Sequence, residues 1–392
     1  MSLVNSKMKD SVLFLMPAGR IDSTNASEIQ TEIDEIIAAN PHDVLIFDAE
    51  NVDYISSAGL RIVLKISKAE KEFEVINTNT EVYDVFDMTG FSEILTIRKA
   101  YRKFSVDGCE IIGQGAKGTV YRYDPETIVK VYNNADSLPD IKRERELARK
   151  AFILGVPTAI SYDVVKVGDK FGSVFELLDT KSLSEYIAEE PENFDKYVKC
   201  FADLLLQIHD TDVSPEDMPS GKAKFQRRVD CIQDYIPEDT FLKLRDLVDA
   251  VPDVNKMLHC DYHTNNVLLQ NGEVILIDMD TLSYGHPIFE LANIHIAYVG
   301  FGIVNPKMVE DFIGLPYETT KKIWSTFLRY YLGTDDEQRL LDVERKVSIL
   351  SYVRYIRHVV RRGVNSDEDR LVIDACIAKI EESLTHVDTL VF

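Results

Sequence analysis

Residues 259 to 280, HCDYHTNNVLLQNGEVILIDMD, place a base, an amide and two carboxylates at intervals that suit ATP-dependent phosphoryl transfer. Asp261 falls on a loop where it can accept the proton of a substrate hydroxyl. Asn266 and Asp278 bracket a short hairpin, VLLQNGEVILI, and from its two ends they converge on magnesium. Asn271 and Gly272 form the turn between its strands. Phosphoryl transfer asks little covalent chemistry of a protein. It demands that metal, nucleotide and acceptor oxygen be held in line, which side chains on adjacent strand ends can do.

The other half of such a site lies upstream. IIGQGAKGTVYRYDPETIVKVY reads as strand, glycine turn, strand, turn, strand, with Gly113, Gly115 and Gly118 in the first turn and Lys130 on the last strand. Glycines let backbone amides approach phosphate oxygens, and Lys130, on the otherwise apolar IVKVY, points an ammonium at them. A dinucleotide-binding βαβ unit needs a helix directly after its glycines, whereas TVYRY is β-branched and aromatic. Lys130 needs an orienting carboxylate, and the next helix, with Pro139 at its first position, runs through DIKRERELARKAFILG to Gly155. At a hundred degrees per residue Ile141, Ala148, Ala151 and Phe152 share one side; Glu144 falls in that stripe and Glu146 points away. Glu144 is therefore expected to pair with Lys130.

The His259, Asp261, His263 and Asn266 pattern resembles the catalytic loop of the aminoglycoside phosphotransferase and choline kinase-like family. Protein kinases have a related loop with an arginine where Cys260 stands, and Asp-Phe-Gly where this chain has Asp278-Met279-Asp280, so the resemblance favours the small-molecule branch. It implies Asp261 as the base, Asn266 and Asp278 as metal ligands, and Asp280 as a second-metal or structural carboxylate. Cys260 is read as packing. GSVFELLDTKSLSEYI looks like the connection between lobes, where Glu176 to Leu178, Leu178 included, offer backbone groups to a purine. LLLQIHDTDV resembles the family's helix end and places His209 near the catalytic loop, in a structural rather than catalytic role. HPIFELANI resembles the family's DPxYDLA segment, with Glu290 in place of aspartate.

The first hundred residues are a different object. SVLFLMPAG, ASEIQTEIDEIIAAN, DVLIFDA, SAGLRIVLKISKAEK, FEVIN and a last short helix alternate β and α, as a small α/β domain does. GRID at 19 to 22, YISSAGLR at 54 to 61 and VFDMTGF at 85 to 91 together resemble the STAS fold of bacterial anti-sigma factor antagonists. In that family a serine at the start of a helix is phosphorylated, and Ser57 matches it. The acidic neighbour usual there is replaced by Ser56. A helix N-terminus favours such an anion by about 0.3–1 kcal/mol, and a docked partner would meet its charge. The alternative is that Ser56 or Ser57 caps the helix.

The 392 residues and 45% hydrophobic content supply two or three units with real cores. Five cysteines without a CxxC pair imply reduced thiols, and no apolar run reaches membrane-spanning length. A net charge of -22 argues against nucleic-acid binding and means that ATP is attracted locally, by Lys130, magnesium and Lys117. After Asn293 the chain reads mostly as helices; the Arg354, Arg357, Arg361 and Arg362 group invites an anion-site reading but is taken as a solvated helix face, and Tyr330, Tyr331, Tyr352 and Tyr355 could line a pocket for a cationic substrate but are taken as core packing, the commoner use.

The expectation is a cytoplasmic protein with an α/β STAS-like domain, 1–100, followed by an α+β bilobal protein kinase-like domain, 101–392. The lobes span about 106–178 and 179–392. Its donor is ATP, with GTP as the alternative, and its cofactor Mg2+. The acceptor is a hydroxyl of a small molecule, and the STAS domain regulates or docks a protein partner. The second reading is a signalling protein whose kinase half phosphorylates protein, Ser57 included, or senses nucleotide.

Overall fold

The structure, a computed structural model, describes every residue except 1, 116, 179 and 271. The Asn271 half of the expected hairpin turn thus lies outside the described residues. The chain divides into two units, residues 1–105 with 164–168, and residues 106–163 with 169–392.

In the first unit, β1 (Val4–Lys9), β2 (Val12–Ile21), β3 (Val44–Asp48), β4 (Asn51–Ile55), β5 (Phe73–Thr78) and β6 (Thr96–Lys99) alternate with α1 (Ala26–Ala39), α2 (Ser57–Ala69) and α3 (Thr80–Met88). The sheet order is β1-β2-β3-β5-β6, with β4 beside β2. Only β1 runs antiparallel, because a two-residue turn joins it to β2, while the parallel neighbours need helical crossovers. Leu13, Leu15, Leu45, Phe47 and Val75 point inward from alternate positions and meet Ile29, Ile33, Val63 and Phe86. Sequence patterning finds the helices and the strands β2, β3 and β5 but not β1, β4 or β6; VNSKMK of β1 buries one residue of six and so shows no alternation. A further strand, β7 (Arg102–Phe104), pairs in parallel with β11 (Asp163–Val167).

The second unit opens with β8 (Glu110–Gln114), β9 (Gly118–Arg122), β10 (Thr127–Tyr132), α4 (Leu138–Ile153) and β12 (Lys170–Glu176), whose strands lie antiparallel in the order β12-β10-β9-β8. Helix α4 stops before Gly155, and Phe152 on its last turn is 53% exposed, contrary to the expected stripe; it lies about 100° round the helix from the buried Ala151, at the rim of the face that Glu144, Leu147, Ala148 and Ala151 bury.

The remainder is mainly helical: α5 (Leu183–Glu189), α6 (Phe194–Asp210), α7 (Gly221–Cys231), α8 (Glu238–Asp249), α9 (Ile288–Tyr298), α10 (Pro306–Ile313), α11 (Tyr317–Leu332), α12 (Glu337–Arg362) and α13 (Asp367–Leu384). Helix α9 is buried along its whole length, and α12, α11, α10 and α7 pack against it. Short strands complete the unit: β13 (Lys181–Ser182), β14 (Met257–Leu258), β15 (Val267–Gln270), β16 (Glu273–Leu276) and β17 (Ser283–Tyr284). The β15–β16 hairpin carries Asn266 and Asp278 at its two outer ends, with Val267 opposite Leu276. Tyr331, Tyr352 and Tyr355 are core residues, and Tyr330 packs against that core.

Candidate active site

A cavity of about 670 Å³ in the second unit is lined by Gly113, Gly115, Gly118, Lys130, Glu144, Glu176, Leu178, Asp261, Asn266 and Asp278, so the expected base, nucleotide-binding and metal-binding residues reach one space. Lys130 is the hub. Its Nζ lies 3.2 Å from Glu144 Oε1 and 2.6 Å from Asp278 Oδ1. Burial alone would push the ammonium's pKa down; the two carboxylates outweigh it and hold the group well above its ordinary value. Burial likewise works to raise Asp278, and Lys130 outweighs it, keeping that carboxyl low. Glu146 is exposed and pairs with Lys150 instead.

Tyr132, which the sequence reading passed over, completes this arrangement. Its hydroxyl donates to Glu144 Oε2 at 2.9 Å, so the carboxylate is oriented from both sides. The signal was present: residues i and i+2 of a strand share a face, and Tyr132 stands two after Lys130.

The glycines differ in their reasons. A Cβ on Gly118 would sit 2.5 Å from the carbonyl oxygen of Val131, so glycine is required there by the close passage of β10. Gly115 faces open space, and its amide donates to Gly118 O at 2.9 Å to close the turn. From the same turn Lys117 reaches across to contact Asp280. At the lobe connection the amide of Leu177 donates to Glu126 O at 2.7 Å, and the carbonyl of Leu178 accepts from Thr180 N at 3.0 Å.

The Asp261 loop is shaped from beneath. Cys260 sits at φ 67°, a left-handed conformation unusual for a side-chain-bearing residue, and Asp278 at φ 62°. The Cys260 amide donates to both oxygens of Glu290, at 2.9 and 2.7 Å. Glu290 is fully buried, and burial lifts its carboxyl to about 7 even though the backbone donors oppose this. The expected packing of Cys260 is seen, and its backbone matters as much as its thiol. Asn266 Nδ2 donates to the Asp261 carbonyl at 2.9 Å, which leaves its Oδ1 as the oxygen available to the cavity. His259 is buried against Ile277 O and held near pKa 4 by desolvation, hence neutral. His263 Nε2 lies 4.0 Å from Asp261 Oδ2, and burial lowers its pKa as well. His209 bonds Tyr331 through Nδ1 at 2.7 Å and is held near 3 by burial, a buried structural pair that does not line the cavity.

Among the described residues no cluster of three or more acidic, histidine or cysteine side chains could hold a metal. The donor set nevertheless fits magnesium, which commonly takes one or two protein oxygens and completes its shell with waters and nucleotide phosphates. Asn266 and Asp278 offer such oxygens, and the ammonium on Asp278 shows that a cation is stable there.

In the first unit, Ser56 is the cap of α2, its Oγ accepting from Ala58 N at 3.2 Å. Ser57 is exposed at the first helical position. A Cβ on Gly59 would meet Ile55 and Ile21 at 2.7 and 2.8 Å, so α2 starts pressed against β2 and β4.

A cavity bounded by a glycine hairpin, a lysine held between two carboxylates and an aspartate loop defines a bilobal kinase-like phosphotransferase preceded by an α/β unit. A profile described as the phosphotransferase enzyme family matches residues 108–313, over half of the chain, and the chain belongs to that family, whose members transfer phosphate to a hydroxyl acceptor. A STAS domain profile matches residues 4–103. BtrV of Bordetella bronchiseptica, named as an anti-sigma factor antagonist, is 31% identical over 92 residues, 22% of this chain and 78% of BtrV, and the N-terminal part of this chain is a STAS domain. Among solved structures, aminoglycoside phosphotransferase APH(2'')-Ib bound to ADP is similar at 13% identity and a TM-score of 0.48, over 79% of this chain and 99% of that one. A choline/ethanolamine kinase family protein from Mesorhizobium loti is similar at 13% identity and a TM-score of 0.46, over 71% and 88%. Among the described residues no helix is long and apolar enough to cross a membrane.

Proposed function

We propose that the second unit transfers the γ-phosphoryl group of ATP to a hydroxyl of a small molecule, with Asp261 as the catalytic base. The observation that carries this reading is the position of Lys130, held by Glu144 and Asp278 over the cavity that Asp261 and Asn266 also line. The hydroxyl oxygen attacks the γ-phosphorus, its proton passes to the Asp261 carboxylate, and the bond to the β-phosphate oxygen breaks with its electron pair on ADP. Lys130 binds phosphate oxygens, while Glu144, gripped by Tyr132, keeps the ammonium in place. Gly113, Gly115 and Gly118 cover the phosphates, and the backbone at Glu176 and Leu178 borders the base. Asn266 and Asp278 hold Mg2+, which neutralises phosphate charge when bound. On nucleotide binding, Lys130 exchanges part of its contact with Asp278 for phosphate.

In the test, ATP turnover with magnesium is measured across hydroxylated metabolites, with soluble product and protein-bound phosphate both read, and GTP as competitor. One metabolite is expected to stimulate turnover. Asp261→Asn is expected to lower it about 10²–10⁴-fold while nucleotide still binds. Full activity in that variant removes Asp261 as the base. The STAS unit is proposed to regulate this activity or dock a protein partner through Ser57, whose exposure beside a separate cap favours this second role. Phosphate found only on protein, at Ser57, would make signalling the main reading.

A further inference from the structure

Two arginines from helices far apart in sequence converge beside the Asp261 loop. Arg228 on α7 and Arg354 on α12 each donate to the same neutral oxygen, Asn293 Oδ1, at 3.1 and 3.0 Å. Asn293 lies on α9 one turn after Glu290, the residue that grips the Cys260 amide just before Asp261. One helical turn is about 5.4 Å, so the pair stands close under the catalytic loop. Arg354 is electrostatically coupled to Asp261, Glu290 and, unfavourably, His263.

The pair belongs to a larger basic surface. Lys224, Arg227 and Arg228 follow one face of α7, and Arg354, Arg357 and Arg361 one face of α12, with helices α7 and α12 packed together. Among the described residues none of these six side chains has a carboxylate within 4.0 Å, although the chain carries a net charge of -22. Arg354 and Arg357 are half-buried, which departs from the solvated face expected of them, and Arg362 points elsewhere, to Asp369. Burial and the neighbouring guanidinium Arg354 pull Arg228 down to about 9. Charges withdrawn from water are normally paired. Here the shared partner is an amide oxygen, which cannot neutralise two cations.

We propose that Arg228 and Arg354 form the acceptor subsite and that the hydroxyl substrate carries an anionic group, a carboxylate or a phosphate monoester, bound by these guanidinium groups. This rests on the phosphotransferase reading above. Guanidinium forks match both anions in geometry. Amino alcohols and aminoglycosides would bring like charge to this surface. None of the six cations lines the nucleotide cavity, whereas Asp261 does. Asp261 is therefore the group common to both neighbourhoods, as the base between donor and acceptor must be.

The test is calorimetric titration of the full chain, loaded with ADP and magnesium, with four hydroxyl compounds: glycerate and glycerol 3-phosphate, neutral glycerol, and cationic ethanolamine. The anionic pair is expected to bind about ten-fold or more tightly than the others, the worth of one charge-assisted hydrogen bond. Arg354→Gln and Arg228→Gln are each expected to erase about ten-fold of that preference, with Arg354→Lys keeping part of it and ADP affinity unchanged in all three. If a Gln variant fails to fold, the half-buried Arg357→Gln gives a smaller loss in the same direction. Equal or tighter binding of glycerol or ethanolamine, or an anion preference untouched by both Gln variants, overturns the proposal. Binding to phosphatidylglycerol vesicles with no binding of either free anion overturns its small-molecule form. Wild type that binds glycerate but not ADP would instead overturn the phosphotransferase reading and leave the anion subsite standing.

Discussion

At the scale of single residues, the contrast between Glu144 and Glu146 is decisive, because both sit on α4 two positions apart and only Glu144 touches Lys130. Glu144→Ala is expected to lower turnover by about 10- to 100-fold, the cost of one misplaced phosphate-binding group, while Glu146→Ala stays within two-fold of wild type. Equal effects in a steady-state assay would remove the pairing. Glu290 gives a prediction in pH. Its carboxyl lies near 7 in the folded chain against an ordinary 4.5, so the folded state holds a proton that the unfolded state has lost. Its contribution is therefore fully present below about pH 4.5 and is lost as pH rises through about 7. Between pH 4 and pH 8 the loss is on the order of 3 kcal/mol. Glu290→Gln, which cannot ionise, should show a flatter profile of urea-unfolding free energy over that range, and a parallel profile would exclude this residue as its source.

At the scale of elements, glycines of one hairpin separate structure from function. Gly118→Ala forces a Cβ to 2.5 Å from the backbone of β10, so the β9–β10 ladder must shift, at a cost of about 1–3 kcal/mol. Gly115→Ala enters open space and should leave stability within about 0.5 kcal/mol. Weakened ATP binding in Gly115→Ala, with an unchanged melting curve, would thus report phosphate approach at that turn; unchanged binding would assign the glycine to turn geometry alone. The sequence disclosed elements like this hairpin because their signals are local. The β15–β16 ends, the α4 stripe and the strand of Lys130 each follow from residues within one window. Edge strand β1 left no trace, since its side chains face water on nearly every position. Phe152 satisfied the helical period yet lies exposed, because period alone does not say where the neighbouring surface stops. The grip of Glu290 on Cys260 and the meeting of Arg228 with Arg354 at Asn293 depend on helix packing between distant segments, which no local pattern encodes.

At the scale of the whole molecule, the two units own separate hydrophobic cores. One is built from residues between Val4 and Phe86, the other from residues between Leu147 and Leu390, and among the described residues they share no buried side chain. With a separate hydrophobic core in each unit, scanning calorimetry is expected to resolve two transitions rather than one. The larger enthalpy belongs to the larger core, since unfolding enthalpy scales with residue number. ADP with magnesium, binding in the cavity of the second unit, should raise that transition alone, by about 2.7 kcal/mol at a hundred times the dissociation constant. Ser57→Asp tests the other half: an acidic group at the exposed start of α2 should leave the nucleotide-sensitive transition where it is and move only the smaller one, by less than about 1 kcal/mol. A single transition shifted as a whole by ADP would show that the units unfold together, and would give phosphorylation at Ser57 a thermodynamic route to the nucleotide site.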